Sequence, residues 1–274
     1  MRVMLDYVRR QLAALGAAIQ LLTRLPLPVQ IDYRSEVLIR STNYYPVVGL
    51  IIGGLTGAAF WLLPQLWSET ICAALILIVW VALTGGLHLD GLMDTADGVL
   101  SHRSRERMLE IMKDSRSGAM GVLAGVLTLL LKFVLILECL KWDRSDVWLY
   151  WMLIPMWARW GTVFAMALWP YARKEQGMGS YYQSVGLRQT AVSGWIALLS
   201  SLLLLIGSYR WNGGDVVPLL YTGLAVIGAC VLTVLLAGGW LYRKLGGQTG
   251  DTYGAMIEVS ELMMLLTLVT MNGR

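Results

Sequence analysis

The chain contains few charged residues, and this shortage excludes an ordinary soluble globular domain. Of its 274 residues only 15% are Asp, Glu, Lys or Arg, whereas 57% are hydrophobic and the mean hydropathy is +0.60. Soluble domains typically carry about 25% charged residues. Cysteine is also scarce. Cys72, Cys139 and Cys230 show no metal-binding or redox spacing, so we interpret them as small hydrophobic residues packed in the interior.

Long apolar runs occupy most of the chain. Many are close to or above the roughly 20 residues that a helix needs to cross a hydrocarbon core. They cover residues 45–66, 71–87, 119–137, 147–169, 191–208, 218–241 and 254–271. Because they lack the alternation of membrane barrels, the predicted fold is an all-α polytopic membrane helical bundle with six or seven transmembrane helices. We expect one integral membrane domain over residues 1–274, with the transmembrane bundle at 45–271.

The N-terminal segment, residues 1–25, is predicted to lie on the membrane rather than to cross it. Apolar residues such as Met4, Val8 and Leu12 recur at helical spacing, with arginines among the polar positions. A signal peptide would have a denser apolar centre and a cleavage site made of small residues. The pattern therefore indicates an amphipathic helix in the membrane interface, which the prolines of "TRLPLP" end.

Basic residues are distributed unevenly between the two sides that these spans define. With the N-terminus inside, 16 of the 22 Lys and Arg residues fall in inside segments and 4 in outside segments. Cytoplasmic loops are enriched in Lys and Arg, so we expect a multi-pass protein of the cytoplasmic (inner) membrane with its N-terminus in the cytoplasm. This topology accounts for the net charge of +4 without nucleic acid as a partner. The polar clusters also fall on the cytoplasmic side, where the active site is expected.

Three aspartates lie close together in the segment "HLDGLMDTADG", directly after an apolar run. Asp90, Asp94 and Asp97 are spaced i, i+4 and i+7, so on a helix they fall within an arc of roughly 60°. Carboxylates this close repel one another unless a cation lies among them, and carboxylate oxygens suit Mg²⁺. A solvated helix end beside the arginines of residues 101–116 is the alternative. The cluster predicts a divalent-metal site at the membrane surface and indicates phosphoryl chemistry.

Basic residues on the same side of the membrane could bind phosphate. They are Lys113, Arg116, Arg173 and Lys174. The positive-inside rule explains such residues without a ligand, and this alternative stays open. Near the C-terminus, "GGQTGDT" predicts a glycine-rich turn that leads into a helix, where backbone N–H groups can hold an anion.

Charged residues inside the spans predict contacts within the bundle. Arg159 should face the bundle and have a partner, because an unpaired charge in the membrane is costly, whereas Lys132 could extend toward the interface. Glu258 and Glu261 in the last span are interpreted as functional.

His88 is a candidate catalytic base beside the aspartates. It lies about 200° from Asp90 on a regular helix. It therefore either lines another wall of the pocket or follows a turn distorted at Gly85 and Gly86.

Six motifs follow one another along the chain: "LLTRLPLP", "YYPVVGLIIGG", "TGGLHLDGLMDTADGVL", "RMLEIMKDSRSGAMG", "PYARKEQGMG" and "GGQTGDTYGAMIEVSE". They occur here in the order found in the cobalamin synthase family. From about residue 20 to residue 265 the chain resembles this family, adenosylcobinamide-GDP ribazoletransferase. Gln248 stands where the family often has a hydrophobic residue.

The resemblance implies a membrane enzyme with Mg²⁺ as its cofactor. The reaction would join adenosylcobinamide-GDP to α-ribazole, or its 5′-phosphate, to give adenosylcobalamin, or its 5′-phosphate, with release of GMP. Metal binding would fall to Asp90, Asp94, Asp97 and, as second choice, Asp251. One aspartate could instead accept the proton of the attacking hydroxyl. The diphosphate would be held by the basic residues, above all Lys113, Arg116 and Arg173.

Two other functions remain as alternatives. A CDP-alcohol phosphotransferase also uses membrane helices and clustered aspartates, but "DGLMDTADG" lacks the arginine and the spacing of its usual D-G-x2-A-R and G-x3-D-x3-D pattern. An ion-coupled transporter would account for Glu258 and Glu261. Transporters typically show repeated halves and broken helices near the midplane, and this sequence shows no internal repeat.

Overall fold

The computed structural model describes residues 2–142, 147–173, 178–212 and 216–272, and this part of the chain contains helices and loops but no strand. The α-helices are α1 (Arg2–Leu22), α2 (Ser35–Ser41), α3 (Tyr45–Leu62), α4 (Glu69–Thr84), α5 (Leu87–Val99), α6 (Arg105–Ile111), α7 (Ala119–Leu140), α8 (Val147–Leu168), α9 (Leu187–Asn212), α10 (Val216–Leu245) and α11 (Gly250–Asn272). Short 3₁₀ segments lie at Thr42–Tyr44, Leu63–Gln65 and Met178–Ser184.

Apolar helices of membrane-spanning length confirm the predicted fold class. Among the described residues, five helical segments are long and apolar enough to cross a membrane: Ser35–Gln65, which includes α3, and α7, α9, α10 and α11. The pair α4 and α5 is a sixth if it counts as one span. α8, which we predicted to be a span, is not in this set because its tryptophans and Arg159 lower its hydropathy. The described residues therefore contain six candidate spans if the bent pair counts as one, which is the lower of the two predicted numbers.

α8 nevertheless lies in the interior of the bundle. Most of its residues are buried, including Trp151 and Arg159. α3 packs closely against it through Gly49 and Gly53, and a Cβ added at Gly53 would lie 2.6 Å from the carbonyl oxygen of Trp151. Only glycine permits such an approach between two helix backbones. The three cysteines are free and buried, as predicted.

Two glycines change the direction of the chain by 85° between α4 and α5. Gly85 follows α4 and Gly86 precedes α5, and their φ angles of 63° and 71° lie in the left-handed region. L residues rarely adopt this conformation, whereas glycine does so at little cost. The predicted distortion at these glycines is confirmed, and it directs the aspartate-bearing helix away from the axis of α4.

The predicted N-terminal helix is confirmed as α1. Its second half packs on the bundle through Ala14, Ala17 and Ala18, whereas Met4 and Leu5 in its first half are exposed. Its placement in the membrane interface stays a prediction, as does the assignment of the whole chain to one domain.

Candidate active site

A cavity of about 430 Å³ lies where α5, α11 and the chain that follows α8 meet. Its ionisable residues are His88, Asp90, Lys113, Arg173, Asp251 and the tyrosines Tyr45, Tyr171, Tyr182 and Tyr253. These residues come from motifs that are far apart in the sequence. The structure therefore gathers most of the predicted chemistry into one place.

α5 and α11 cross at glycines. A Cβ added at Gly91 would lie 2.7 Å from the carbonyl oxygen of Asp251, and one added at Gly254 would lie 3.2 Å from the Cα atom of His88. Larger residues at these two positions would hold the helices apart. The glycines therefore set the separation between the aspartate helix and the start of the last helix.

Two loops position Arg173 beside Asp251. The N–H of Ala172 donates to the carbonyl of Gln248 at 2.7 Å, and the N–H of Gln248 donates to the carbonyl of Pro170 at 2.8 Å. The buried side chain of Gln248 donates to the carbonyl of Gly238 at 2.9 Å and so helps to anchor the loop. Arg173 Nη2 then lies 2.6 Å from Asp251 Oδ2.

The predicted helix start at "GGQTGDT" is confirmed at the N-terminus of α11. The hydroxyl of Thr249 accepts from the N–H of Thr252 at 3.2 Å, and the hydroxyl of Thr252 accepts from the N–H of Thr249 at 2.8 Å. This reciprocal pair caps the helix. Gly250 and Asp251 line the cavity, so the partial positive charge of the helix N-terminus lies at the cavity wall.

Asp97 forms hydrogen bonds that stabilise the fold. Its two carboxylate oxygens accept the N–H groups of Gly118 at 2.6 Å and of Gly121 at 2.7 Å. These are backbone donors at the start of α7, where a helix leaves N–H groups without internal partners. Asp97 therefore caps α7 from a neighbouring helix, a contact that sequence spacing did not indicate.

Of the other two aspartates of α5, Asp90 lines the cavity and Asp94 does not. Asp90 is exposed, and Asp94 is half-buried within range of the charges of Asp90, Asp97 and Asp251. In the described parts of the chain, no group of three or more His, Cys, Asp or Glu side chains could hold a metal ion on its own. The metal-binding and catalytic roles of the aspartates stay predictions.

The predicted phosphate-binding residues separate into three groups. Lys113 and Arg173 line the cavity and also a neighbouring one of about 390 Å³. Arg116 instead lies exposed in an ion pair with Asp114, at 2.7 Å, and does not line the cavity. Lys174 lies outside the described residues.

Burial raises the pKa of two tyrosines of the cavity. Desolvation raises the pKa of the Tyr171 hydroxyl, against the opposing effect of the Arg173 charge. Desolvation likewise raises the pKa of Tyr182, whose hydroxyl accepts a hydrogen bond from the hydroxyl of Tyr45 at 3.1 Å. Both phenols can therefore donate hydrogen bonds at neutral pH. Sequence analysis did not single them out, because tyrosine in an apolar chain has no distinctive spacing.

The charged residues of the spans pair with one another. Lys132 Nζ lies 2.5 Å from Glu261 and 3.1 Å from Glu258, so the prediction that it extends to the interface is wrong. Arg159 pairs with Glu261, which confirms that it faces the bundle and has a partner. All four side chains are almost fully buried. Buried charges are stable only when paired, and this requirement explains the contacts.

A family model for cobalamin-5-phosphate synthase matches residues 14–269, nearly the whole chain. The chain belongs to the cobalamin-5-phosphate synthase family. Both sides of the cavity, from α5 to the start of α11, lie within the matched residues. The resemblance noted in the sequence is thus confirmed.

Relatives of known name agree with this family. A protein from Desulfitobacterium hafniense, named adenosylcobinamide-GDP ribazoletransferase, is 43% identical over 252 residues, covering 92% of this chain and 94% of its own. Proteins of the same name from Roseiflexus sp. and Clostridium acetobutylicum are 39% and 36% identical, over 93% and 91% of this chain and 89% and 93% of their own. No solved structure matches the chain.

Proposed function

We propose that this chain catalyses a joining reaction of cobalamin biosynthesis. It would combine adenosylcobinamide-GDP with α-ribazole, or its 5′-phosphate, and release GMP. The observation that carries the proposal is the cavity itself, where Lys113 and Arg173 lie beside the carboxylates of Asp90 and Asp251, within the part of the chain matched by the family. Cations and carboxylates that face one cavity are what transfer of a substituted phosphate requires.

The reaction is a phosphoryl transfer. The ribose hydroxyl of α-ribazole forms a bond to the phosphorus attached to cobinamide, and the bond from that phosphorus to the oxygen of GMP breaks. Lys113 and Arg173 bind the diphosphate oxygens, and the N-terminus of α11 adds a partial positive charge on the same side. One of Asp90 and Asp94 accepts the proton of the attacking hydroxyl instead of binding the metal.

The oxygen donors of this site fit Mg²⁺, which we propose as the cofactor. Asp94 is surrounded by the charges of three other carboxylates, whereas Arg173 is already paired with Asp251. Since both oxygens of Asp97 accept backbone N–H groups, Asp90 and Asp94 are the better ligands. Mg²⁺ commonly needs only one or two carboxylates together with substrate phosphates. When bound, the ion would neutralise charge on the diphosphate and on the departing GMP.

We further propose that the cavity faces the cytoplasm from a multi-pass protein of the cytoplasmic membrane. The distribution of Lys and Arg supports this orientation. Adenosylcobinamide-GDP, as a charged nucleotide derivative, would then reach the cavity without crossing the bilayer.

The test is turnover by the purified protein in detergent. Protein, Mg²⁺, adenosylcobinamide-GDP and α-ribazole 5′-phosphate are incubated together, and GMP and adenosylcobalamin 5′-phosphate are measured. We expect equal amounts of both products and none after chelation of the metal. Turnover of CDP-diacylglycerol with an alcohol acceptor, and none of the cobinamide substrate, would overturn the proposal in favour of a CDP-alcohol phosphotransferase.

A further inference from the structure

A chain of buried polar contacts leads from the interior of the bundle to His88. Lys132 lies over the ring of Trp80 at 4.4 Å and pairs with Glu261, which in turn pairs with Arg159. Arg159 Nη2 then lies 3.5 Å from His88 Nδ1. Arg159 is fully buried and His88 is 2% exposed. His88 is the member of this chain of contacts that lines the substrate cavity.

The contact with Arg159 favours the tautomer of His88 that carries its proton on Nε2. A guanidinium group has only hydrogen-bond donors, so the nitrogen that faces it must accept. In a neutral imidazole that accepts at Nδ1, the proton is on Nε2. Arg159 itself is held by Glu261 and by the carbonyl of Pro155, which Nη1 contacts at 3.2 Å. The guanidinium is therefore restrained on the side away from His88.

The proton-bearing nitrogen of His88 lacks a partner. His88 Nε2 is buried and has no hydrogen-bond acceptor among the described residues. A buried donor without an acceptor is costly, so such groups in native proteins usually have a functional reason. The cavity beside His88 is where a substrate oxygen would enter.

We propose that the buried ion pairs fix His88 as the Nε2–H tautomer, so that it donates a hydrogen bond to an oxygen of the bound substrate instead of acting as a base. This role rests on the proposed function for the identity of the substrate. His88 would then contact the substrate, whereas Arg159, Glu261 and Lys132 are positioning residues. The base for the attacking hydroxyl must accordingly be one of the aspartates.

The tautomer can be observed without any turnover. The chain has only two histidines, and His102, with φ of 54°, tolerates asparagine in that conformation. In the His102→Asn variant, ¹⁵N-labelled in lipid bilayers, His88 is the single histidine signal in a solid-state NMR spectrum. We expect Nε2 to be protonated and Nδ1 to be unprotonated. Adding adenosylcobinamide-GDP should shift the Nε2–H signal.

A substitution at Arg159 tests the positioning residues. In the same background, Arg159→Met combined with Glu261→Gln removes the donor that faces Nδ1 together with the carboxylate that Arg159 neutralises, while Lys132 still pairs with Glu258. We expect a mixture of the two tautomers. A pure Nε2–H tautomer in this variant would contradict the role of Arg159, and an unprotonated Nε2 in the parent protein would overturn the whole inference.

Two substitutions at His88 test whether its side chain donates a hydrogen bond or accepts a proton. The amide nitrogen of His88→Gln can replace Nε2–H, whereas the shorter side chain of His88→Asn reaches only the position of Nδ1. Neither amide can accept a proton as a base. We expect His88→Gln to retain kcat within about tenfold, and His88→Asn to lose about a hundredfold, as for a removed oxyanion donor. Equal losses in both variants would contradict the donor role.

These results are distinguishable from a failure of the proposed function. If the parent protein releases no GMP from adenosylcobinamide-GDP, the function is wrong, while the tautomer of His88 is still read directly from the spectrum. If the parent protein is active and the tautomer or the order of the two His88 variants differs from expectation, only the inference about His88 is wrong.

Discussion

Asp94 and Asp97 lie close together on α5 but differ in what their oxygens contact. Asp97 accepts two backbone N–H groups at the start of α7, whereas Asp94 is half-buried among other carboxylates. The hydrogen bonds of Asp97 stabilise the fold, whereas the carboxylates around Asp94 favour binding of a cation. The two residues should therefore respond differently to the same substitution.

The change Asp94→Asn should strongly reduce turnover while leaving the fold intact. It removes the charge that would hold Mg²⁺ but keeps the size of the side chain, so we expect turnover to fall by at least about a hundredfold. GMP release and thermal unfolding in detergent measure the two effects. Asp32→Asn, the same change at an exposed ion pair with Arg34, is the matched control. Near-normal turnover with retained Mg²⁺ dependence would show that Asp94 is not a ligand.

The change Asp97→Asn should destabilise the protein. An asparagine can accept only one of the two N–H groups with its single oxygen, so one buried donor loses its partner. We expect a loss of about 1–3 kcal/mol in the free energy of unfolding. Chemical unfolding in detergent measures it, against the same Asp32→Asn control. Unchanged stability would mean that Asp97 does not cap α7.

At the scale of helices, the site depends on how closely α5 and α11 approach. Gly91 and Gly254 allow the two backbones to touch, and the loops before α11 and after α8 are joined by hydrogen bonds between their main chains. Asp90 and Asp251 thereby reach the same cavity. The geometry of the carboxylates is set by helix packing rather than by the aspartates themselves.

Gly91→Ala should separate α5 from α11. The added Cβ would lie 2.7 Å from a backbone oxygen of α11, which cannot move without shifting the helix. Since misplacement by about 1 Å can cost about a hundredfold in rate, we expect a loss of that order in kcat/KM. Gly228→Ala in α10 is the control, because no atom lies within 4 Å of its added Cβ. Equal activity of both variants would contradict the close approach.

At the scale of the whole molecule, the orientation of the protein in the membrane decides from which side substrates reach the cavity. α6 and the cavity wall at Lys113 belong to the segment from 88 to 118, which contains five Lys and Arg residues. The positive-inside rule places such a segment in the cytoplasm. The loop before α4 would then face the other side.

Cysteine labelling in cells tests this orientation. Ser104 and Ser68 are both exposed residues that precede helices, and the three native cysteines are buried. We expect Ser104→Cys to resist an impermeant thiol reagent in intact cells and to react after permeabilisation. Ser68→Cys should react in intact cells. The opposite pattern would reverse the orientation and place the cavity outside.

The amino-acid sequence alone determined the positions of the long apolar helices, because these depend on local apolar runs and on nearby glycine or proline. The turn at Gly85 and Gly86 and the start of α11 also follow from residues within a few positions. The sequence located α8 as a helix, but our prediction that it is an apolar membrane span was not matched. It is not among the helices that are long and apolar enough to cross a membrane, and the helices that pack around it bury most of its residues.

Only the tertiary structure decided which charges meet. The ion pairs of Arg173 with Asp251 and of Lys132 with Glu261 join residues far apart in the chain, so helical periodicity contains no information about them. For the same reason the spacing of Asp90, Asp94 and Asp97 predicted a common face but could not show that Asp97 caps another helix. Local sequence sets the conformation of each helix, whereas contacts between helices depend on where small residues let their backbones approach.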